Sequence, residues 1–427
     1  MHSKRWLRII PVALIMYTIS YIDRTNVSLA LDPSISRMMS DLRMDDQMKG
    51  QAAGIFFFGY MLLQIPGGYL AARWSARKVT AILLVLWGAC AVGCGLATTF
   101  RQFEIMRFLL GVAESGVYPA TLVLLAHWFP RAERARATAF WSLCMPLSVA
   151  FSAPLTGWMI GSMGWQKMIM IEGALPFLWL PIWLYFISDH PREARWLSDQ
   201  ERNHLQTALQ QEATAKEQLK GDSIWRAFFR PAVPVMLVIY FLHNSAVYGC
   251  MTFLTEGLKG AGGKTTALKS GILFAIPYLV TAVAMVLISW RSDKSGERRG
   301  YLALVYIISG VSLIGSVLLK EHSFWLSYCL LCLAIPGPFA ALAPFWAIPA
   351  ETLPRNVMGS VMGLVNLGNL GGFLGPFVVG ALKKQTHGVT IPFSILGGGL
   401  LVAAALVFLL PGIRQTQGGE LKSTAVA

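Results

Sequence analysis

The stretch Ser188-Asp189-His190-Pro191-Arg192-Glu193-Ala194-Arg195-Trp196-Leu197 opens the one long polar interval in an otherwise apolar chain. It runs on to about Phe228, carries Glu201, Arg202, Lys216 and Lys220, and sets Trp196, Leu197, Leu205 and Leu209 on an amphipathic helix. On either side of it apolar blocks of roughly 20 residues recur, the length an α-helix needs to cross a hydrocarbon core of about 30 Å. The blocks fall near 8–29, 49–72, 77–98, 102–126, 134–158 and 166–187 before the interval, and 229–257, 267–291, 299–319, 323–350, 356–381 and 391–411 after it. The reading is an all-α membrane protein of twelve transmembrane helices in two six-helix bundles. Residues 1–187 form the first bundle, 188–228 a cytoplasmic linker, and 229–427 the second bundle with a short cytoplasmic tail.

Composition agrees. Of 427 residues 55% are hydrophobic and only 14% charged, whereas soluble globular proteins are about a quarter charged. The mean hydropathy is +0.54. Lys4, Arg5 and Arg8 precede an apolar stretch that continues to Leu29 without a small-residue cleavage site, so this is a retained first helix rather than a signal peptide. The net charge of +14 suggests nucleic-acid binding only until its distribution is read. With a cytoplasmic N-terminus, Lys and Arg favour the inner segments roughly two to one, as the positive-inside rule requires of a protein with both termini cytoplasmic. The six cysteines all lie in apolar segments, Cys329 and Cys332 included, which implies packing and no disulfide framework. No nucleophile with a base and no metal-ligand set at helical spacing is found among the seven histidines, so neither an enzyme nor a cofactor is expected.

The halves repeat. Ala72-Arg73-Trp74-Ser75-Ala76-Arg77-Lys78 after the second span matches Asp293-Lys294-Ser295-Gly296-Glu297-Arg298-Arg299 after the eighth in the offsets of its basic residues. Phe129-Pro130-Arg131 before the fifth is echoed by Leu353-Pro354-Arg355 before the eleventh, with Pro154 and Pro376 following at similar distances. Parallel repeats of this kind place a transporter's site near the midplane between them.

The Asp293–Arg299 loop resembles the signature of the major facilitator superfamily; its first copy is degenerate, with Ala72 for the usual acid and Ser75 for the usual glycine. Within that superfamily the chain resembles the anion:cation symporter family. The likeness rests on Tyr21-Ile22-Asp23-Arg24-Thr25-Asn26, Arg107-Phe108-Leu109-Leu110-Gly111-Val112-Ala113-Glu114, Asp189-His190-Pro191 with Ala194-Arg195-Trp196-Leu197, and Gly371-Gly372-Phe373-Leu374-Gly375-Pro376. The resemblance implies import of organic anions, often with protons. It also implies that Arg24 binds the anionic group and that Asp23 and Glu114 bind protons.

Ionisable groups in a bilayer core cost a few kcal/mol each and face a cavity or one another. Four stand out: Asp23, Arg24, Arg107 and Glu114. At a rise of about 1.5 Å per residue, Arg24 lies ~24 Å from the cytoplasmic start of the first span, Arg107 ~8 Å below the outer surface and Glu114 ~18 Å below it. Asp23, Arg24 and Arg107 therefore share a depth. Asp23 and Arg24 point about 100° apart. This leaves Asp23 to pair with Arg107, freed when protons arrive, and leaves Arg24 to face the cavity. Arg107, Gly111 and Glu114 form one stripe, where Gly111 admits a close neighbour. The bland alternative is a set of fixed ion pairs locking the first and fourth spans.

Tyr21 and Tyr60 are placed to add hydroxyl donors. His243, Asn244 and Tyr248 in the seventh span and Asn366 and Asn369 in the eleventh are further substrate candidates; Trp141, Ser142 and Trp346 are weaker ones. Glu172 and Glu351 near span ends read as caps or gates.

The expectation is a monomeric secondary transporter that imports a small organic anion by alternating access and proton symport. The cargo is a carboxylate or sulfonated carboxylate, with a sugar acid or aromatic acid as wider options, and a proton or cation gradient supplies the energy. Its partners are the anion, protons and the bilayer, with no nucleic acid. Alternatives are an exporter or proton antiporter of the same fold, or a non-transporting receptor. Ser148-Val149-Ala150-Phe151-Ser152-Ala153-Pro154 lacks the Gly-Pro signature typical of exporters. Short outer loops without an Asn-x-Ser/Thr acceptor fit a bacterial inner membrane.

Overall fold

The structure, a computed structural model, describes residues 4–217, 230–257, 266–352, 361–410, 412–415 and 421–424. Among these, eleven helices are long and apolar enough to cross a membrane. The difference from twelve arises in the second expected span, which divides at Leu63 (φ −107°, ψ 11°). After α1 (Lys4–Ala30), this span consists of α2 (Asp46–Leu62) and α3 (Gln64–Leu70). A wider turn, Ala71–Ser75, then leads into α4 (Ala76–Gly95). Ser75 is extended at φ −170°, and its hydroxyl accepts the Lys78 amide, so a new helix starts there.

Other spans divide in the same way: α5 (Phe100–Glu114) from α6 (Val117–Trp128), α7 (Arg131–Ser142) from α8 (Cys144–Met163), and α9 (Trp165–Gly173) from α10 (Leu175–Phe186). The breaks share a cause. Proline lacks an amide hydrogen and crowds the carbonyl four residues earlier. Pro66, Pro119, Pro146 and Pro176 each follow the last residue of the preceding helix, Leu62, Glu114, Ser142 and Gly173, at about the distance this crowding implies.

In the polar interval the helix is α11 (Asp199–Glu217), which begins after Trp196 and Leu197 rather than including them. Trp196 instead stacks on Trp128, with centroids 5.4 Å apart. The second half contains α12 (Ala232–Gly257), α13 (Ala267–Ser295), α14 (Arg299–Leu318), α15 (Phe324–Ala334) and α16 (Pro336–Thr352). The eleventh span passes through a 3₁₀ turn, Asn366–Asn369, before α17 (Leu370–Thr386), and α18 (Thr390–Val407) follows. Thr266 and Ser323 cap α13 and α15, and Gly296 ends α13 in the left-handed region at φ 67°. A two-stranded antiparallel ribbon, β1 (Gly412–Gln415) with β2 (Leu421–Thr424), lies in the tail. The Leu353-Pro354-Arg355 repeat lies outside the described residues.

The chain packs as two units. The first gathers Met1–Asn26, Ile55–Val149 and Met163–Lys220; the second gathers Val27–Gly54, Ala150–Ser162 and Gly221–Ala427. In the first unit α2 and α5 meet at two glycines: a methyl at Gly111 would overlap the Phe56 carbonyl, and one at Gly59 the Phe108 carbonyl. The close neighbour expected at Gly111 is thus a helix backbone. Asp189 closes the degenerate first loop by accepting from the Ser75 hydroxyl and, at 2.9 Å, from the Arg77 amide. It supplies a carboxylate at the N-terminus of α4, where the helix dipole favours one.

In the second unit the start of α2 packs on α17. Methyls at Gly50 and Gly380 would overlap the carbonyls of Pro376 and Asp46. Two ion pairs, Asp46–Lys383 at 2.7 Å and Asp45–Lys384 at 2.9 Å, join the same segments.

Candidate functional site

The first unit concentrates its buried charge where α1, α4, α5 and α9 meet. Arg24 Nη2 pairs with Glu114 Oε2 at 3.1 Å, and the Ser20 hydroxyl donates to that same oxygen at 2.7 Å. Glu114 is wholly inaccessible and Arg24 is buried. Ser20 and Arg24 stand one turn apart on α1, so both reach Glu114 from one face.

Four rings surround the Arg24 guanidinium: Tyr60 at 4.6 Å, Phe56 at 5.2 Å, Tyr21 at 5.4 Å and Tyr17 at 5.7 Å from their centroids. The negative faces of aromatic rings attract a cation, and the effect strengthens on desolvation. The expected pair Tyr21 and Tyr60 is therefore at the site, through ring faces. Tyr17 and Phe56 complete the box and were not anticipated. Trp141 lies behind it, 4.9 Å from Tyr17 and 5.1 Å from Tyr118, with its indole donating to the Ala13 carbonyl at 3.3 Å.

The expected Asp23–Arg107 pair is not formed. Arg107 Nη1 donates to the backbone carbonyl of Asp23 at 2.9 Å, not to its carboxylate. The carboxylate accepts instead from Trp87 Nε1 at 2.5 Å, and Asp23 Oδ1 has no hydrogen-bond partner. Arg107 also lies 4.9 Å from the Phe56 ring. Arg24, expected to face the cavity, has Glu114 as its carboxylate partner. Side-chain direction explains both. Helical Cα–Cβ bonds tilt toward the helix N-terminus. On the antiparallel α1 and α5, Arg24 and Glu114 therefore lean toward each other, and Arg107 leans toward the main chain at Asp23.

Glu172 sits one residue from the end of α9, near a helix end as expected, but it serves α1: Asn26 Nδ2 donates to its Oε2 at 2.9 Å. Sequence reasoning gave Asn26 and Trp87 no role. Neither carries charge, so neither stands out in an apolar span. The side chain of Glu351 lies outside the described residues.

The second unit holds the remaining candidates. His243 is buried, with Nδ1 3.1 Å from the Tyr306 hydroxyl and its ring stacked on Tyr240 at 5.5 Å, an environment of packing. Asn244 donates to the Tyr240 carbonyl at 2.9 Å. Asn369 donates to both the carbonyl and the side-chain oxygen of Asn366 at 2.9 Å, which stitches the 3₁₀ turn. Tyr248 is half-buried, and its carbonyl accepts from the Thr252 hydroxyl. Trp346 stands edge-on to Tyr240 at 5.2 Å, and Ser142 is half-buried.

Set beside known proteins, residues 13–376 match the family model described as Major Facilitator Superfamily. The chain is 29% identical to the "Putative tartrate transporter" of Agrobacterium vitis, over 97% of this chain and 95% of that protein. It is 28% identical to the "Quinolone resistance transporter" of Acinetobacter baumannii, over 94% and 93% of the two. It is also 28% identical to the "Probable sulfoacetate transporter SauU" of Cupriavidus necator, over 94% and 93%. Among solved structures, a D-xylose-proton symporter superposes with a TM-score of 0.75 at 15% identity, over 95% of this chain and 97% of that one.

Proposed function

The chain belongs to the major facilitator superfamily, and on that premise we propose that this multi-pass membrane transporter imports a small organic anion together with protons. The observation that carries the reading is the buried Arg24–Glu114 pair inside its aromatic box. An anion that binds Arg24 must displace a carboxylate already seated there. Protonating Glu114 removes that competitor, and the incoming anion then neutralises Arg24, so no charge stays stranded in low dielectric. Arg24 then offers a planar fork suited to a carboxylate or sulfonate. Asp23 supplies a second protonatable group, and Arg107 holds the α1 backbone beside it. Relatives named for tartrate and sulfoacetate, both small anions, support this cargo class.

In the second unit, Tyr248, His243, Asn244, Asn366 and Asn369 are the proposed substrate contacts. On this reading both termini are cytoplasmic, which the Lys and Arg bias of the inner segments supports, and the membrane is a bacterial inner membrane. Export is the second reading, favoured by the relative named for quinolone resistance.

Purified protein in proteoliposomes decides between them. Inward-directed proton gradients are expected to drive accumulation of tartrate or sulfoacetate, and Arg24→Ala to abolish it. Wild-type uptake by Arg24→Ala would remove the anion-binding role, and gradient-driven extrusion of a cationic drug without acid uptake would favour export.

A further inference from the structure

Resting on the symport reading, we propose that Trp87 and Asn26 are positioning residues that fix where Asp23 takes its proton. The Trp87 indole is fully buried on α4 and donates to Asp23 Oδ2 at 2.5 Å. Indole nitrogen is a donor only, so Oδ2 stays the acceptor in either protonation state. The proton is thereby assigned to Oδ1, a buried oxygen with no partner.

Asn26 completes the arrangement. It lies three residues on from Asp23 along α1, on the same face. Its amide nitrogen is committed to Glu172 at 2.9 Å, which orients its oxygen away, and that buried oxygen also has no partner. The Asn26 oxygen is assigned as the acceptor for Oδ1–H, a donor that an ionised Asp23 cannot supply. The step is a simple proton transfer: Oδ1–H forms as the carboxylate loses its charge, and the reverse returns the proton. Glu172 thus acts at one remove, by holding the amide.

Asp23 is not isolated from other charges. Glu114 and Arg107 on α5 and Glu172 on α9 act on it electrostatically, as does the Cys94 thiol on α4, while Arg24 neighbours it on α1. Of these, only Glu172 bears on the positioned acceptors, through the Asn26 amide. The two glutamates and two arginines set the field; Trp87 and Asn26 set the oxygen.

The test compares Trp87→Phe and Asn26→Leu with wild type in proton-driven tartrate uptake as a function of pH. Trp87→Phe removes a donor to the carboxylate and is expected to move the half-maximal pH up by about one unit. Asn26→Leu removes the acceptor for the protonated form and is expected to move it down by about the same amount. In both, KM for the anion at each variant's own optimum should stay within about twofold of wild type. Infrared titration gives a reading that needs no transport: the protonated-carboxyl band lost in Asp23→Asn should shift in frequency in both variants. A wild type with no proton drive would remove the symport reading. A proton-driven wild type whose two variants keep its pH profile and its carboxyl band would leave symport standing and overturn the assignment.

Discussion

Arg24 and Glu114 share a 3.1 Å ion pair although they start from different depths on antiparallel helices. Breaking such a pair by removing one partner costs several kcal/mol, because the other charge is left buried and alone. Arg24→Met and Glu114→Gln are therefore each expected to destabilise the protein by about 3–5 kcal/mol, and the double variant by less than their sum. Thermal unfolding in detergent checks this. Additive losses would show that the two side chains do not depend on one another.

Glu114→Gln mimics the protonated carboxyl at the site. Anion affinity in this variant should be at least wild-type and lose most of its pH dependence, while uphill accumulation collapses and anion exchange persists. Equilibrium binding and counterflow measure the two halves of that outcome. Retained pH-driven accumulation would exclude Glu114 from coupling.

Tyr60 approaches Arg24 more closely than any other ring of the box. Tyr60→Leu removes a desolvated cation–π contact worth about 1–2 kcal/mol, whereas Tyr60→Phe keeps the ring. Unfolding temperature and anion affinity should fall for Leu and change little for Phe. Equal losses in both would assign the contribution to the hydroxyl instead.

Asp45 lies outside the spans. The Met48 amide and then Lys384 hold its carboxyl below the usual range. A depressed value contributes stability that is present above the unfolded pKa and is lost as pH falls through the folded one. That window lies below about pH 4. Asp45→Asn should therefore leave the shape of the uptake profile between pH 5 and 8 unchanged. A shifted profile would move the pH sensor to this end of the helices.

Gly111 admits the Phe56 carbonyl, and no side chain fits there without moving α2. Gly111→Leu is expected to cost about 1–3 kcal/mol of stability or more through overpacking. It should also weaken anion binding, because Phe56 and Tyr60 ride on the displaced helix. Wild-type thermal stability would show that α2 and α5 can separate freely.

The spans and the four buried ionisable groups were legible because both are long-range signals: twenty apolar residues, and charge where charge is expensive. Partner choice was not. Axial rise gives depth, but an arginine side chain spans more than one turn, and its lean toward the helix N-terminus moves its charge toward a deeper neighbour. Hence Arg24 reached Glu114, and Arg107 took a main-chain oxygen. The helix breaks, by contrast, were written in Pro66, Pro119, Pro146 and Pro176, each of which ends a helix about one turn before it. Trp87 and Asn26 are ordinary residues for a packed helix, and only contact with Asp23 and Glu172 gives them meaning.

Glu114 has a cationic partner, while the Asp23 carboxylate accepts only from an indole. That asymmetry has an electrical consequence. A proton on Glu114 is matched by the anion that takes its place on Arg24, so the exchange moves no net charge. A proton on Asp23 has no such counterpart and travels as current. Uptake of a monoanion with both protons is then electrogenic, and an interior-negative membrane adds about 2.3 kcal/mol per 100 mV to the driving force.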